Sequence, residues 1–315
     1  MDDVRLARDL VSQGLTKFDI SSELQRGNLR RVRRGAYTGS DDPDPGRAHR
    51  RLLEATLAET HPGAVVSHAS AAVLHGLPVP HAALQRVHLT RDRRGGGQRR
   101  TWLQVHGHPL PQPDVWTIDG FRVTSPARTV VDLACTLPLV DAVAIGDAAL
   151  RQGAELGELL AVLGRVGPRR GIASARRALD LLDGRSESYG ESVSRVLLHQ
   201  HGLPAPLPQT LVFDQHDVFV GRVDFAWPAL GVIGEFDGRI KYGRDLEPEQ
   251  DPTEVLWHEK QREDLLRELG WLVVRWVWAD LRHPEAWLAR LVRALERGRS
   301  LPAPAGSWTT VARSG

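Results

Sequence analysis

VDFAWPALGVIGEFDG, residues 223–238, decides how the last third of this chain is read. Apolar and polar residues alternate around Asp224 and again around Glu235, which is the pattern of half-buried strands. In a strand, residues i and i+2 share a face, so Glu235 and Asp237 point the same way. A short turn at Pro228-Ala229-Leu230 folds the two strands side by side and brings Asp224 toward that pair. Three carboxylates on otherwise apolar strands are costly unless something neutralises them. A hard divalent cation satisfies such a set, and Mg²⁺ suits a sparse carboxylate set completed by water and phosphate oxygens.

Outward from this segment the pattern continues. A helix opens at Glu191 in ESVSRVLLHQHG, with Val193, Val196 and Leu197 at core spacing. Strands are expected at Leu211–Phe213, Val218–Trp227 and Gly231–Asp237. A long helix follows over Thr253–Leu269, stopped by Gly270, then the apolar strand WLVVRWVW and a last helix over Glu285–Arg297. A helix crossing between the third and fourth strands makes that pair parallel. The expectation is an α/β unit with a mixed four-stranded sheet over residues 187–298. On the crossover helix, at about 100° per residue, Glu259 and Arg262 fall in the same sector as Val255, Leu266 and Leu269, while Lys260 falls nearly opposite. An acid and a base on an apolar face are either a structural i,i+3 pair or a device that turns Arg262 toward a phosphate.

The chain has 315 residues, which suggests two or three domains at roughly 100–200 residues each. No apolar run reaches membrane-spanning length and the N-terminus lacks a charged-then-apolar leader, so a cytoplasmic location with no membrane is expected. A single cysteine, Cys135, excludes an internal disulfide and a cysteine metal cluster. The net charge of +2 does not by itself imply nucleic acid. Of 41 basic residues, only Lys17, Lys241 and Lys260 are lysine, so lysines near the acidic motifs stand out.

Residues 1–45 read as a small helical unit: a helix around Val4, Leu6, Leu10 and Val11, then a second capped by Thr16 with Asp19 three positions on. RGNLRRVRRGAYTG follows, carrying Arg26, Arg30, Arg31, Arg33 and Arg34 with no acid among them. Two helices and a basic hairpin have the form of a winged helix-turn-helix, in which arginines reach phosphates. A solvated arginine loop is the alternative. SDDPDPG at 40–46 is turn-rich. Residues 46–152 then read as an α+β unit, 153–186 as a helical linker and 299–315 as a disordered tail. SHASAAVLHG offers Ser67, His68, Ser70 and His75 without an acidic partner at a readable spacing, and reads as a packed helix. The loop Arg91–Arg100 is either a nucleic-acid contact or an ordinary basic hairpin loop.

Glu191, Asp224, Glu235-Phe236-Asp237 and a basic crossover helix together resemble the restriction-endonuclease-like PD-(D/E)XK superfamily. VDFAWPALGVIGEFDG with HEKQREDLLRELGWLVVRW is similar to its branch related to very-short-patch-repair (Vsr) endonucleases, over about residues 187–297. LRRVRRGAYTG, SHASAAVLHGLPVP and VTSPARTVVDLA resemble the AbiEi-type antitoxin arrangement, a winged helix followed by an α+β domain. The first resemblance implies Mg²⁺- or Mn²⁺-dependent phosphodiester hydrolysis with Asp224, Glu235 and Asp237 on the metal and Glu191 in support. Asp237 stands where the superfamily pattern has lysine. Lys241 is the first candidate to replace it, with Arg262 and Lys260 as alternatives. The second resemblance implies DNA binding and a toxin encoded nearby. Two readings therefore stand at this point: a DNA endonuclease, or a non-enzymatic antitoxin-type regulator with a degenerate nuclease domain. A partner-binding scaffold is a third.

Overall fold

A computed structural model describes residues 4–39, 43–60, 63–93, 95–238 and 252–311, without the side chains of 252–256 and 258. Two compact units emerge. The first comprises residues 1–145 and 154–179, the second 146–153 and 180–315.

In the first unit, β1 (Arg5–Leu6) leads into α1 (Ala7–Ser12), and α2 (Lys17–Arg26) follows a tight turn. Val4 and Leu6, expected on a helix, instead precede it: the pair Arg5-Leu6 hydrogen-bonds to the hairpin as an edge strand. The capping box is present. The Thr16 side chain accepts from the Asp19 amide, and the Asp19 carboxylate accepts from the Thr16 amide at 2.8 Å. Gly27 ends α2 at φ +79°, a left-handed conformation that a side chain would strain. The hairpin β2 (Arg30–Arg33) and β3 (Ala36–Thr38) then closes a three-stranded antiparallel sheet of order β1-β3-β2. Leu10, Ile20, Leu29 and Tyr37 form its core. Leu6 and Ala36 pack with Ala55 of α3 (Pro45–Leu57), a helix capped by Asp44.

A six-stranded mixed sheet of order β6-β7-β5-β4-β9-β8 makes the rest of this unit. Its strands are β4 (Val65–Val66), β5 (Val87–Arg91), β6 (Gln98–Arg99), β7 (Leu103–Gly107), β8 (Val115–Ile118) and β9 (Phe121–Thr124). Leu53, Val66, Ala71, Val87, Leu89 and Val123 form one core between the sheet, α3 and α4 (His68–Leu74). Next come α5 (Pro126–Ala134), α6 (Leu139–Arg151), α7 (Leu156–Arg165) and α8 (Ile172–Asp180). The segment expected to be a helical linker does form helices, α7 and α8, and its residues 154–179 pack into the first unit, with Leu159, Val162, Ala175 and Leu179 buried. The cause is partly a buried charge network. Arg128 bonds Asp132 at 3.0 Å and Asp114 at 2.9 Å, and Arg165 of α7 bonds the other oxygen of Asp114 at 2.8 Å.

The second unit opens with α9 (Tyr189–Gln200). Strands β10 (Leu207–Phe213), β11 (Phe219–Trp227) and β12 (Val232–Asp237) follow as an antiparallel meander. Pro228–Leu230 between the last two is a single 3₁₀ turn. The crossover helix α10 (Pro252–Glu268) returns the chain to β13 (Leu272–Val277), parallel to β12 as its length requires. α11 (Trp278–Arg282) and α12 (Glu285–Gly298) follow. The sheet has five strands rather than four, in the order β13-β12-β11-β10-β14. The fifth, β14 (Ser307–Thr310), comes from the tail expected to be disordered and pairs with β10. Its four residues, Ser-Trp-Thr-Thr, are too few to show a period, and the backbone ladder to β10 supplies their order.

One face of the sheet packs Ala226 and Ile233 against Leu266 of α10 and Trp271. The other stacks Phe225 on Trp276 at 5.4 Å between ring centroids, and Trp276 on Trp287 of α12 at 4.6 Å. Gly234 is required there, since a Cβ would sit 2.6 Å from the Trp276 ring.

Candidate functional site

Strands β11 and β12 pair as Trp227↔Val232, Ala226↔Ile233 and Phe225↔Gly234. Continuing that register sets Asp224 opposite Glu235, on the face covered by α10. There the ladder gives way. The Asp224 Oδ2 accepts the Phe236 amide at 2.8 Å, so a side chain replaces the backbone acceptor and the strands part. Asp224, Glu235 and Asp237 line one cleft of about 200 Å³ with Arg222, Arg262 and Arg275. Glu191 arrives from the first turn of α9. That approach needs Gly190, whose Cβ would collide with the Phe236 ring. The sequence-expected carboxylates are thus neighbours.

Their partners differ. Glu235 is buried, and each of its oxygens is taken by an arginine: Arg262 of α10 on Oε1 and Arg275 of β13 on Oε2, both at 2.8 Å. Arg262 also donates to the Arg222 carbonyl at 2.8 Å, crossing β11 at Gly221, where a Cβ would lie 2.8 Å from its Cδ. Arg275 reaches Glu263 at 3.1 Å. Buried Glu191 accepts from Ser188 Oγ at 2.7 Å, the Glu187 amide at 2.9 Å and Gln209 Nε2 at 2.8 Å. Asp224 has weaker support. Burial, then the charges of Glu191 and Glu235, push its carboxyl up to about 7, against the Phe236 amide and Arg262, which pull it down.

The donor set has the chemistry a hard cation needs, but the geometry does not yet suit one. Among the described residues, a single group of three His, Cys, Asp or Glu side chains holds its ligand atoms within 4.8 Å of one another, and it is not this one. The two arginines draw the Glu235 oxygens to themselves, and Glu191 is satisfied by three donors. Arg262 was expected either as a structural partner or as a phosphate contact. It partners Glu235, with Glu259 lining the same cleft. Lys260 is exposed on α10. Lys241 lies outside the described residues. Trp227 is buried, its indole donating to the Pro204 carbonyl at 2.8 Å, so it belongs to the core.

Of the five candidate arginines, Arg30, Arg31 and Arg34 are exposed on the hairpin, and Arg26, also exposed, ends α2 and pairs with Glu23 at 3.0 Å. Arg33 is a correction. It is buried, donates to the Arg34 and Ala55 carbonyls, and pairs with Glu59 at 2.9 Å. A β-bulge between Arg31 and Arg33 breaks the strand alternation and turns Arg33 inward, onto the C-terminal end of α3, where a cation meets helix-end carbonyls. Sequence reading missed Arg275, whose place in an apolar run gave it the look of a core strand residue. The β12–β13 register puts it directly beside Glu235.

Comparison supports the antitoxin-like reading for the domain after the N-terminal helices and hairpin. A family model for the AbiEi antitoxin C-terminal domain matches residues 63–184, which cover the six-stranded sheet and the helices after it. Two Mycobacterium tuberculosis proteins, uncharacterized protein MT2308 and uncharacterized protein Rv2248, are each 31% identical over 287 residues, spanning 90% of this chain and 99% of the relative. This chain belongs to their family. Among solved structures, the RV2827C protein from Mycobacterium tuberculosis matches 61% of this chain and 75% of its own at 17% identity and a TM-score of 0.38, which carries no fold assignment. Among the described residues, no helix is long and apolar enough to cross a membrane.

Proposed function

We propose that the chain is a DNA-binding regulator of the AbiEi-antitoxin kind. The AbiEi match over residues 63–184 carries this reading. The hairpin of winged-helix form ahead of it supplies the contact surface. Arg30, Arg31 and Arg34 stand exposed within five residues, and three cations so close are best accommodated by a polyanion. A toxin is the expected protein partner, as for other antitoxins. The test is binding to duplex DNA from upstream of its own coding sequence. Protection of that duplex by the parent, and its loss when Arg30, Arg31 and Arg34 are all replaced by Ala, is the expected result.

A second reading rests on a separate observation: Asp224, Glu235 and Asp237 share a cleft whose Asp224 carboxyl is pushed up to about 7 by burial and neighbouring acids. In it, the second unit is a nuclease-like domain of PD-(D/E)XK type, and Mg²⁺ or Mn²⁺ is the ion these three residues would hold. Arg262 and Arg275 must first release Glu235. The pairing they make favours the regulator, because it leaves Glu235 without a free oxygen for a metal ion. Cleavage of single-stranded, duplex or mismatched DNA with either metal, absent in Asp224→Ala, would reverse that order.

A further inference from the structure

Three histidines come together in the first unit, far apart in sequence. His68 opens α4, His88 lies on β5 and His106 on β7. The parallel β5–β7 register pairs Thr90 with His106 and His88 with Gln104, so the two strand histidines lie diagonally on one face. His88 Nδ1 and His106 Nε2 are 3.1 Å apart. His68 is buried and stacks on His106 with ring centroids 3.7 Å apart. Its backbone is left-handed, at φ +50°, a conformation that persists in a non-glycine residue only when the surroundings fix it. One ligand nitrogen from each ring lies within 4.8 Å of the other two.

We propose that His68, His88 and His106 form a binding site for a borderline transition-metal ion, of which Zn²⁺ is the representative. Imidazole nitrogens suit such an ion, and Zn–N bonds of about 2.0–2.1 Å set tetrahedral ligand nitrogens roughly 3.3–3.4 Å apart. The His88–His106 spacing is already close to that. Binding turns the His68 ring off the His106 face, while Ser67 Oγ, 3.0 Å from His68 Nδ1, holds its other nitrogen. Thr90 donates to the same Ser67 oxygen at 2.8 Å, so the supporting hydroxyl is itself fixed. His68 and His88 also line a cavity of about 250 Å³, which leaves a route in and room for a fourth, non-protein ligand.

The surroundings keep the rings in the neutral form a metal requires. Burial first, and the neighbouring histidines second, hold His88 down at about 3 and His68 well below its ordinary value. Burial likewise holds His106 at about 4, opposed by Asp132. Near pH 7 no proton has to leave before an ion binds. Arg169 and Asp132, 2.8 Å apart, add opposite charges beside the cluster.

The test uses full-length protein stripped with EDTA and titrated calorimetrically with ZnCl₂. The parent should bind one Zn²⁺ per chain at micromolar affinity or better. His88→Gln/His106→Gln should weaken it at least a hundredfold, while His199→Gln, at an exposed histidine of α9, should leave it unchanged. Equal affinity in the parent and the His double variant overturns the proposal, as does loss of the Zn²⁺ in His199→Gln alone. If the His double variant does not fold, Co²⁺ in the parent decides: intense visible bands of a four-coordinate site support the assignment, and the weak spectrum of the hydrated ion refutes it.

Discussion

Arg33 sits on the same short hairpin as Arg31 and Arg34, yet its guanidinium points into the protein and theirs point out. Arg33→Met should therefore lower stability by about 1–3 kcal/mol, the cost of leaving its buried partners unpaired, and leave the salt dependence of DNA binding in place. Denaturant unfolding alongside DNA titration distinguishes the two effects. Arg128 is a stronger case, because it neutralises both Asp114 and Asp132 where all three side chains are buried. Arg128→Met should cost about 3–5 kcal/mol by the same measurement, since two carboxylates lose their shared partner. Asp224 works in the opposite sense. Its carboxyl titrates at about 7 in the folded chain and near the ordinary 3.8 when unfolded, so the folded state holds a proton that the unfolded state has released. Stability should fall as pH rises from about 4 to about 7 and level off above. Asp224→Asn removes that dependence and keeps an oxygen for the Phe236 amide, so at pH 8 it should be more stable than the parent by about 2–4 kcal/mol, with little difference at pH 4. A thermal melt series across that range reads the effect. Apart from the i,i+4 spacing of Arg128 and Asp132, none of this is visible from spacing. The Asp224–Glu235 juxtaposition was legible because a pleat has period two and the turn is short. The arginines on Glu235 were not, because one comes from a helix 27 residues on and the other from the adjacent parallel strand.

At the scale of elements, the strongly patterned segments declare themselves: the capped α2, the meander β10–β12, the crossover helix and the apolar β13 all stand where periodicity expects them. The exceptions are short or lack a pattern. The pair Arg5-Leu6 is too brief to show alternation and is a strand only because β3 offers an edge. β14 depends wholly on its partner. It covers the outer edge of β10, with the Ala305 amide on the Leu269 carbonyl at 2.8 Å and Pro304 against Gly231. Ending the chain at Ser300 should expose the unpaired edge of β10 and promote self-association, read by light scattering as a rise in mass with concentration. A truncated chain that stays as monodisperse as the parent would show that this edge is protected in another way.

For the molecule as a whole, one unit carries most of the AbiEi antitoxin match and the basic hairpin, and the other a five-stranded mixed sheet with an acidic cleft whose Glu235 is paired with two arginines. The division into units was only partly legible. Residues 154–179 lack a strong motif and read as a connector, but buried Leu159, Val162 and Ala175, with Arg165 on Asp114, bind them into the first unit. The central claim is that the exposed hairpin arginines hold DNA. Its most direct measurement is fluorescence anisotropy of a duplex from the upstream region, titrated with parent and with Arg30→Ala/Arg31→Ala/Arg34→Ala over a series of salt concentrations with Mg²⁺ present. Every arginine that no longer neutralises a phosphate should flatten the slope of log affinity against log salt by about 0.9, so the triple variant should bind more weakly with a slope smaller by roughly 3, and the duplex should remain intact. The same affinity and slope in both proteins, or no binding by the parent, would contradict the account.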